Sequence, residues 1–208
     1  MKRLALLAVI LVTSLGGMAL PGVAQAEPIQ KDGPEAWPGK VMIGVAPLGV
    51  SADFTNHYNG YIGYAGDGYG SYKFGFNVAG IIADMQKLTI WLGGELNFGG
   101  RAYFAQVEPG IFVQFTLEKL LRIPLVPIIT AGVSGPIFKP YGAGNPGLGG
   151  AFELKIGVGV YYFLTRHIGL GAETHLAFGP GFVDDGFGGH NTIFGGYFDF
   201  LAGAKFAF

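Results

Sequence analysis

From Lys40 to the C-terminus, apolar side chains recur at every second position in eight separate segments, and that period admits one kind of structure. Two residues per repeat is the spacing of a β-strand, whose successive side chains point to opposite sides. The segments are 40–49, 71–81, 87–98, 101–117, 125–135, 150–164, 167–178 and the closing "YFDFLAGAKFAF" of 197–208. In 87–98, Leu88, Ile90, Leu92, Leu96 and Phe98 alternate with Lys87, Thr89, Trp91, Glu95 and Asn97. An amphipathic helix would instead space its apolar residues three and four apart. Pro109 interrupts the fourth segment, where a bulge or a local loss of pairing is expected, whereas Pro124 and Pro127 stand at the start of the fifth, where a strand tolerates them.

Half of the residues are hydrophobic and only 13% are charged, against about 25% charged in ordinary soluble domains. The N-terminus explains part of this. Lys2 and Arg3 precede the apolar run 4–12, and Ala24 and Ala26 supply the small residues of a cleavage site. Residues 1–26 therefore read as a secretory signal peptide cut after Ala26. Residues 27–39, with Pro28, Pro34 and Pro38 and no period, read as a flexible lead-in to a single domain over 40–208. After residue 26 no apolar run approaches the roughly 20 residues of a membrane helix. An exported, apolar chain with 38 glycines and 18 phenylalanines but no such helix points to an eight-stranded, antiparallel, up-and-down transmembrane β-barrel of the all-β class.

Cysteine is absent, which excludes disulfides, thiolate metal sites and a lipid-modified cysteine. The formal net charge of −1 becomes more negative once Lys2 and Arg3 are removed, so nothing favours a nucleic-acid partner.

The connections alternate too. Residues 83–87, 118–124 and 165–167 are short links, whereas 50–70, 136–149 and 179–192 are long and rich in Gly, Pro, Asn and Asp; the link near Gly99 and Gly100 is the short exception. Short turns at the periplasmic end and longer loops outside are the habit of outer-membrane barrels.

The polar faces decide which side meets lipid. A soluble, lipocalin-like periplasmic carrier would alternate with its apolar face inward and its polar face in water. Yet the charges are separated by Gly157, Gly159, Gly169, Gly171, Gly195 and Gly203 and by Ala79, Ala177 and Ala207, where a wetted face would carry Lys, Glu, Thr or Asn. Small residues suit the crowded inside of an eight-stranded barrel, and the aromatics Tyr72, Phe98, Tyr162, Phe178 and Phe206 near segment ends suit interfacial girdles.

The signal peptide, the alternating last strand and the terminal Phe208 together resemble the small outer-membrane β-barrel proteins of Gram-negative bacteria, of the OmpA transmembrane-domain and OmpX type. The resemblance covers 40–208 as architecture. It implies a bacterial outer-membrane location, contact with outer-membrane lipid and lipopolysaccharide, and passage through the secretion translocase and the barrel-assembly machinery. It also implies that Phe208, with Phe206, Ala204, Ala202 and Phe200 on the same face, is a C-terminal assembly signal.

Inward parity places Lys73, Lys87, Lys155 and Lys205 with Glu95, Glu108, Glu153, Glu173, Asp199 and His175 in one lumen. Charges of both signs in so narrow a space are expected to pair, here as Glu95, Glu153 and Glu173 with Lys87, Lys155 and Lys205, because a lone buried charge is costly. A salt-bridged plug follows, with a narrow pore for small solutes as the alternative. A lipopolysaccharide-modifying hydrolase is a third reading, and Ser134, Glu153 and His175 are its best nucleophile, acid and base set. No catalytic residue, cofactor or metal site is assigned. His57 and His190 with Asp53, Asp67, Asp184 and Asp185 lack the spacing of a cation loop. The tyrosine- and glycine-rich stretch 56–72 is either a surface for an extracellular ligand or an extension of two strands.

Overall fold

The computed structural model describes residues 40–53, 71–101, 104–118, 124–140, 147–165, 167–184 and 190–208. The signal-peptide reading with Ala24 and Ala26, the 27–39 lead-in, His57, Asp67, Asp185 and the loop tyrosines Tyr58, Tyr61, Tyr64 and Tyr69 lie outside them. Among the described residues the regular structure is entirely β: β1 (Val41–Asp53), β2 (Ser71–Asp84), β3 (Thr89–Arg101), β4 (Phe104–Thr116), β5 (Leu125–Ser134), β6 (Ile137–Pro140), β7 (Gly149–Ala151), β8 (Glu153–Phe163), β9 (Ile168–Asp184) and β10 (His190–Ala207).

Every pairing is antiparallel, and β10 pairs with both β9 and β1, so the sheet closes on itself. β6 continues β5 beyond Gly135 and Pro136, and β7 continues into β8 across Phe152. The ten strands are thus eight staves of one barrel. Closure lets every backbone group find a partner without an exposed edge, which a bilayer demands.

Large apolar side chains cover the outside: Val41, Leu48, Phe76, Leu92, Ile111, Ile156, Val158 and Leu170 are all exposed. Lysines, glutamates and asparagines fill the inside. This polarity is the reverse of a lipocalin-like carrier, and that alternative falls with it.

The interior is packed by a recurring device: a large inward side chain lies over a glycine on the adjacent strand. Asn77 pairs with Gly44, Asn97 with Gly75, His175 with Gly157 and Glu173 with Gly159. In each case a Cβ added to the glycine would collide with that neighbour's side chain. Space accounts for these glycines, not turns. Gly157→Val is therefore expected to destabilise the barrel by at least the ~1–3 kcal/mol typical of overpacking, since its side chain would overlap the His175 ring and stand 2.8 Å from the Thr174 carbonyl oxygen. Gly94→Ala, whose new carbon would approach nothing nearer than 3.7 Å, should stay within about 0.5 kcal/mol of wild type. Chemical unfolding of the two purified variants checks the contrast.

Two sequence expectations change here. Glycine-rich stretches that read as long loops are partly strand: β1 runs to Asp53, β6 and β7 occupy part of 136–149, and β9 and β10 reach Asp184 and His190. Gly179 and Gly181 are buried strand residues, and a Cβ on Gly179 would strike the Phe152 carbonyl. Pro109 causes no bulge against β3, where it pairs with Leu96 in unbroken register. Register shifts instead fall between Val45 and Leu48, around Pro47, and between Ile81 and Ala83.

Pro109 does weaken its other side. Gly135 N–H donates to Pro109 O (2.9 Å), Ala151 N–H to Pro136 O (2.9 Å) and Phe152 N–H to Pro180 O (2.9 Å). In each pair the reciprocal bond is missing because proline has no N–H. Three adjacent seams are therefore half bonded along one stepped line across the wall.

Candidate functional site: a charged lumen

Inward-facing positions of neighbouring strands converge on the barrel axis, and two tiers of ionic contacts occupy it. In the outer tier Lys155 of β8 reaches across to Glu95 of β3 (2.6 Å) and Glu108 of β4 (2.9 Å). Glu108 is shared with Lys73 of β2, which also bonds Asp199 of β10 at 2.5 Å. The Lys73 ammonium sits 4.6 Å from the centre of the Tyr197 ring. The Tyr197 hydroxyl donates to Glu153 Oε2 (2.8 Å), and Ser134 Oγ donates to the same oxygen at a long 3.4 Å. One network thus ties together β2, β3, β4, β5, β8 and β10.

The inner tier is smaller. Lys205 of β10 bonds Glu173 of β9 (2.9 Å) and donates to Gln114 Oε1 of β4 (2.6 Å), and its ammonium lies over the Tyr161 ring. Tyr161 donates to Glu173 (2.9 Å), and His175 Nε2 stands 3.3 Å from the other carboxylate oxygen. All three lysines are nearly inaccessible, at 4% for Lys73, 3% for Lys155 and 1% for Lys205. Cations so far from water are held by carboxylates because an unpaired buried charge is prohibitive.

Below the inner tier the lumen turns apolar. Met42, Ala79, Trp91 and Phe112 form one buried cluster, and Val126, Ile128, Tyr161 and Phe163 another. Trp91 Nε1 donates to Thr116 Oγ1 (3.0 Å), and Thr89 donates to Glu118 (2.5 Å). These groups floor the barrel at the end that carries the short turn 85–88 and the C-terminus.

No protein-family model matches the chain, and no curated protein matches it in sequence. Solved structures do match in shape. The Neisserial surface protein A aligns with 81% of this chain and 97% of its own at 12% identity and a TM-score of 0.59. The outer membrane protein OprG from Pseudomonas aeruginosa aligns with 81% and 95% at 12% identity and a TM-score of 0.50. The chain folds as a small outer-membrane β-barrel. Its apolar exterior, closed wall and polar lumen are what residence in that membrane requires.

Within this outer-membrane barrel, Glu95, Glu153, Lys155, Glu173, His175, Asp199 and Lys205 all face the lumen and are buried or half-buried. Lys87 does not join them. It is exposed in the turn 85–88, because β3 begins only at Thr89 and the strand parity does not reach it. Among the described residues the expected ion pair of Glu153 with a lysine is also absent, and the neutral hydroxyls of Tyr197 and Ser134 approach it instead. Lys73 and Glu108, both on the inward parity, are the hub of the outer tier. Tyr161, Tyr197 and Gln114 complete the networks; parity puts them inside, but their partners lie across the lumen, where the sequence period has no say.

The set Ser134, Glu153 and His175 is not assembled. Ser134 approaches Glu153, but His175 pairs in register with Gly157, four residues along β8 from Glu153, or ~13 Å at the rise of a strand. His175 is engaged by Glu173.

At the C-terminus Phe208 is exposed on the outer face, with Phe200 and Phe206 half-buried on the same side of β10. The Phe208 backbone also closes the barrel, exchanging hydrogen bonds with Val41 at 2.9 and 3.1 Å.

Proposed function

We propose that this outer-membrane barrel carries no solute through its lumen and works at the cell surface, as a structural or adhesive element whose outer hairpins meet an extracellular ligand. The observation that carries the reading is the bracing of the outer tier: Lys155 and Lys73 span from β8 and β2 to carboxylates on β3, β4 and β10. A conducting path would have to break these pairs and then cross the apolar floor around Trp91. In planar bilayers the wild-type protein is expected to show little steady conductance. A stable, ion-selective current whose selectivity shifts in Glu95→Gln, with unfolding unchanged, would make a narrow pore the better account.

Lipid and lipopolysaccharide are the proposed neighbours of the apolar belt, and the secretion translocase and barrel-assembly machinery the partners during biogenesis. Support for the last comes from the outward placement of Phe208 and Phe206 at the seam that closes the barrel. Deleting Phe208 would also remove its two bonds to Val41, so Phe208→Ala is the cleaner variant. It should lower the folded amount in the outer membrane, read as heat-modifiable gel mobility, while the purified chain refolds normally in detergent. Normal folded levels in cells sink the assembly role, and equal impairment in detergent reduces Phe208 to a girdle residue.

A further inference from the structure

Between the two tiers the lumen holds a cavity of about 20 Å³. Five polar atoms on its lining side chains are buried and have no hydrogen-bond partner among the described residues: Asn77 Oδ1, Asn97 Nδ2, Gln114 Nε2, Thr130 Oγ1 and His175 Nδ1. They come from β2, β3, β4, β5 and β9, so they surround the space from most of the circumference. Five of the eight such atoms in the described protein thus line one cavity. Buried polar groups are otherwise nearly always satisfied, by protein or by ordered water.

We infer that this chamber is a binding site for resident water. Size sets the first limit, because a space of ~10–15 Å³ on this measure is the least that holds one water molecule, and the chamber exceeds it only modestly. Charge sets the second. Glu95 and Glu173 line the cavity, but each already contacts an ammonium group, of Lys155 and Lys205 respectively, so neither carboxylate faces the space without a cation beside it.

Hydrogen-bonding character sets the third limit. Two amide N–H groups offer protons, one amide oxygen accepts, and a hydroxyl and an imidazole nitrogen do either. Water, which donates two bonds and accepts two, is the small ligand that answers a mixed set. Gln114 is oriented by accepting from Lys205, and exchanging oxygen and nitrogen in Asn77 or Asn97 alters which atom donates but leaves the mixture.

The surrounding glycines maintain this arrangement. A Cβ on Gly75 would collide with Asn97 Oδ1, and one on Gly44 with the Asn77 amide. The two asparagines therefore occupy the space directly over these glycines, which a larger residue at either position would take from them. The bound water joins the tiers, since Gln114 holds Lys205 and His175 holds Glu173 on one side while Asn77 and Asn97 stand in register with Glu95 and Glu108 on the other.

Water-to-side-chain cross-relaxation measured by NMR on the folded, full barrel in detergent micelles tests the inference. The side-chain amide protons of Asn97 and Gln114 should show water cross-peaks with the sign of a long-lived complex. The peaks should persist in Thr130→Val and in Tyr161→Phe, which remove in turn the two lining hydroxyls able to relay them by exchange, and vanish in Thr130→Leu, whose larger side chain fills the space. Absence of cross-peaks in folded wild type, or their loss in Thr130→Val or Tyr161→Phe, overturns the inference. So does dependence of the peaks on replacing sodium by potassium or chloride by a larger anion. The inference rests on the closed lumen, and bilayer conductance reports that separately: a conducting barrel with short-lived water contacts refutes both, and a silent barrel without them refutes this one alone.

Discussion

Lys155→Met is expected to lower the stability of the folded barrel by about 3–5 kcal/mol, the usual consequence of leaving a buried charge without its partner. Lys155 alone reaches Glu95, at 2.6 Å, among the described residues, and it shares Glu108 with Lys73. Removing it strands one carboxylate and weakens the hold on another. The double change Lys155→Met with Glu95→Gln should cost less than the sum of its single changes, because both charges leave together. Glu153→Gln supplies the internal control. Among the described residues that carboxyl is approached by two hydroxyls and by no lysine within bonding distance, so its loss should be nearer the ~0.5–1.5 kcal/mol of an ordinary hydrogen bond. Urea titrations in detergent, followed by gel mobility and tryptophan fluorescence, measure the four variants beside wild type. If Lys155→Met proves no worse than Glu153→Gln, the ionic account of the lumen is wrong.

Val158→Arg tests the other surface. Val158 lies midway along β8, flanked in register by Ile129 and Thr174, and is 59% exposed on the outer face. An arginine at the midplane of a barrel's lipid face costs roughly 2–4 kcal/mol, falling to about 0–1 near the interfaces. Leu164→Arg, just beyond the end of the same strand, should therefore be tolerated. Reconstitution into lipid vesicles followed by denaturant unfolding gives the comparison. Cysteine placed at 158 should resist a water-soluble thiol reagent and react with a lipid-soluble one. Equal costs at 158 and 164, with aqueous labelling at 158, would show that this face does not meet lipid.

Much of the wall was legible because a strand's period of two is strict between irregularities. β8 illustrates this: every outward residue from Leu154 to Tyr162 is exposed, as the alternation requires. Parity fails where a bulge intervenes. In β1 the odd residues Val41 and Ile43 face out, but beyond Pro47 the even residues Leu48 and Val50 do, since one extra residue there reverses the faces. Composition misleads where glycine serves space instead of turning, as at Gly179 and Gly181. The contents of the lumen were legible as a set of residue types. Their partnerships were not, because which side chains meet across a barrel depends on its stagger and their reach, so Lys73 and Glu108 emerged as the hub only from the structure.

The stepped line of half-made pairs at Pro109, Pro136 and Pro180 has a mechanical consequence. Below it the staves are braced from within by Lys155 and Lys73; above it stand β6, β7 and the far ends of β9 and β10. A pull applied to the surface hairpin meets this line first, and the seams there give way before the charged core is disturbed. The exterior tip is in effect mounted on a compliant joint, which lets it adapt its shape, or diverge in sequence, without transmitting strain to the part of the barrel that the membrane holds.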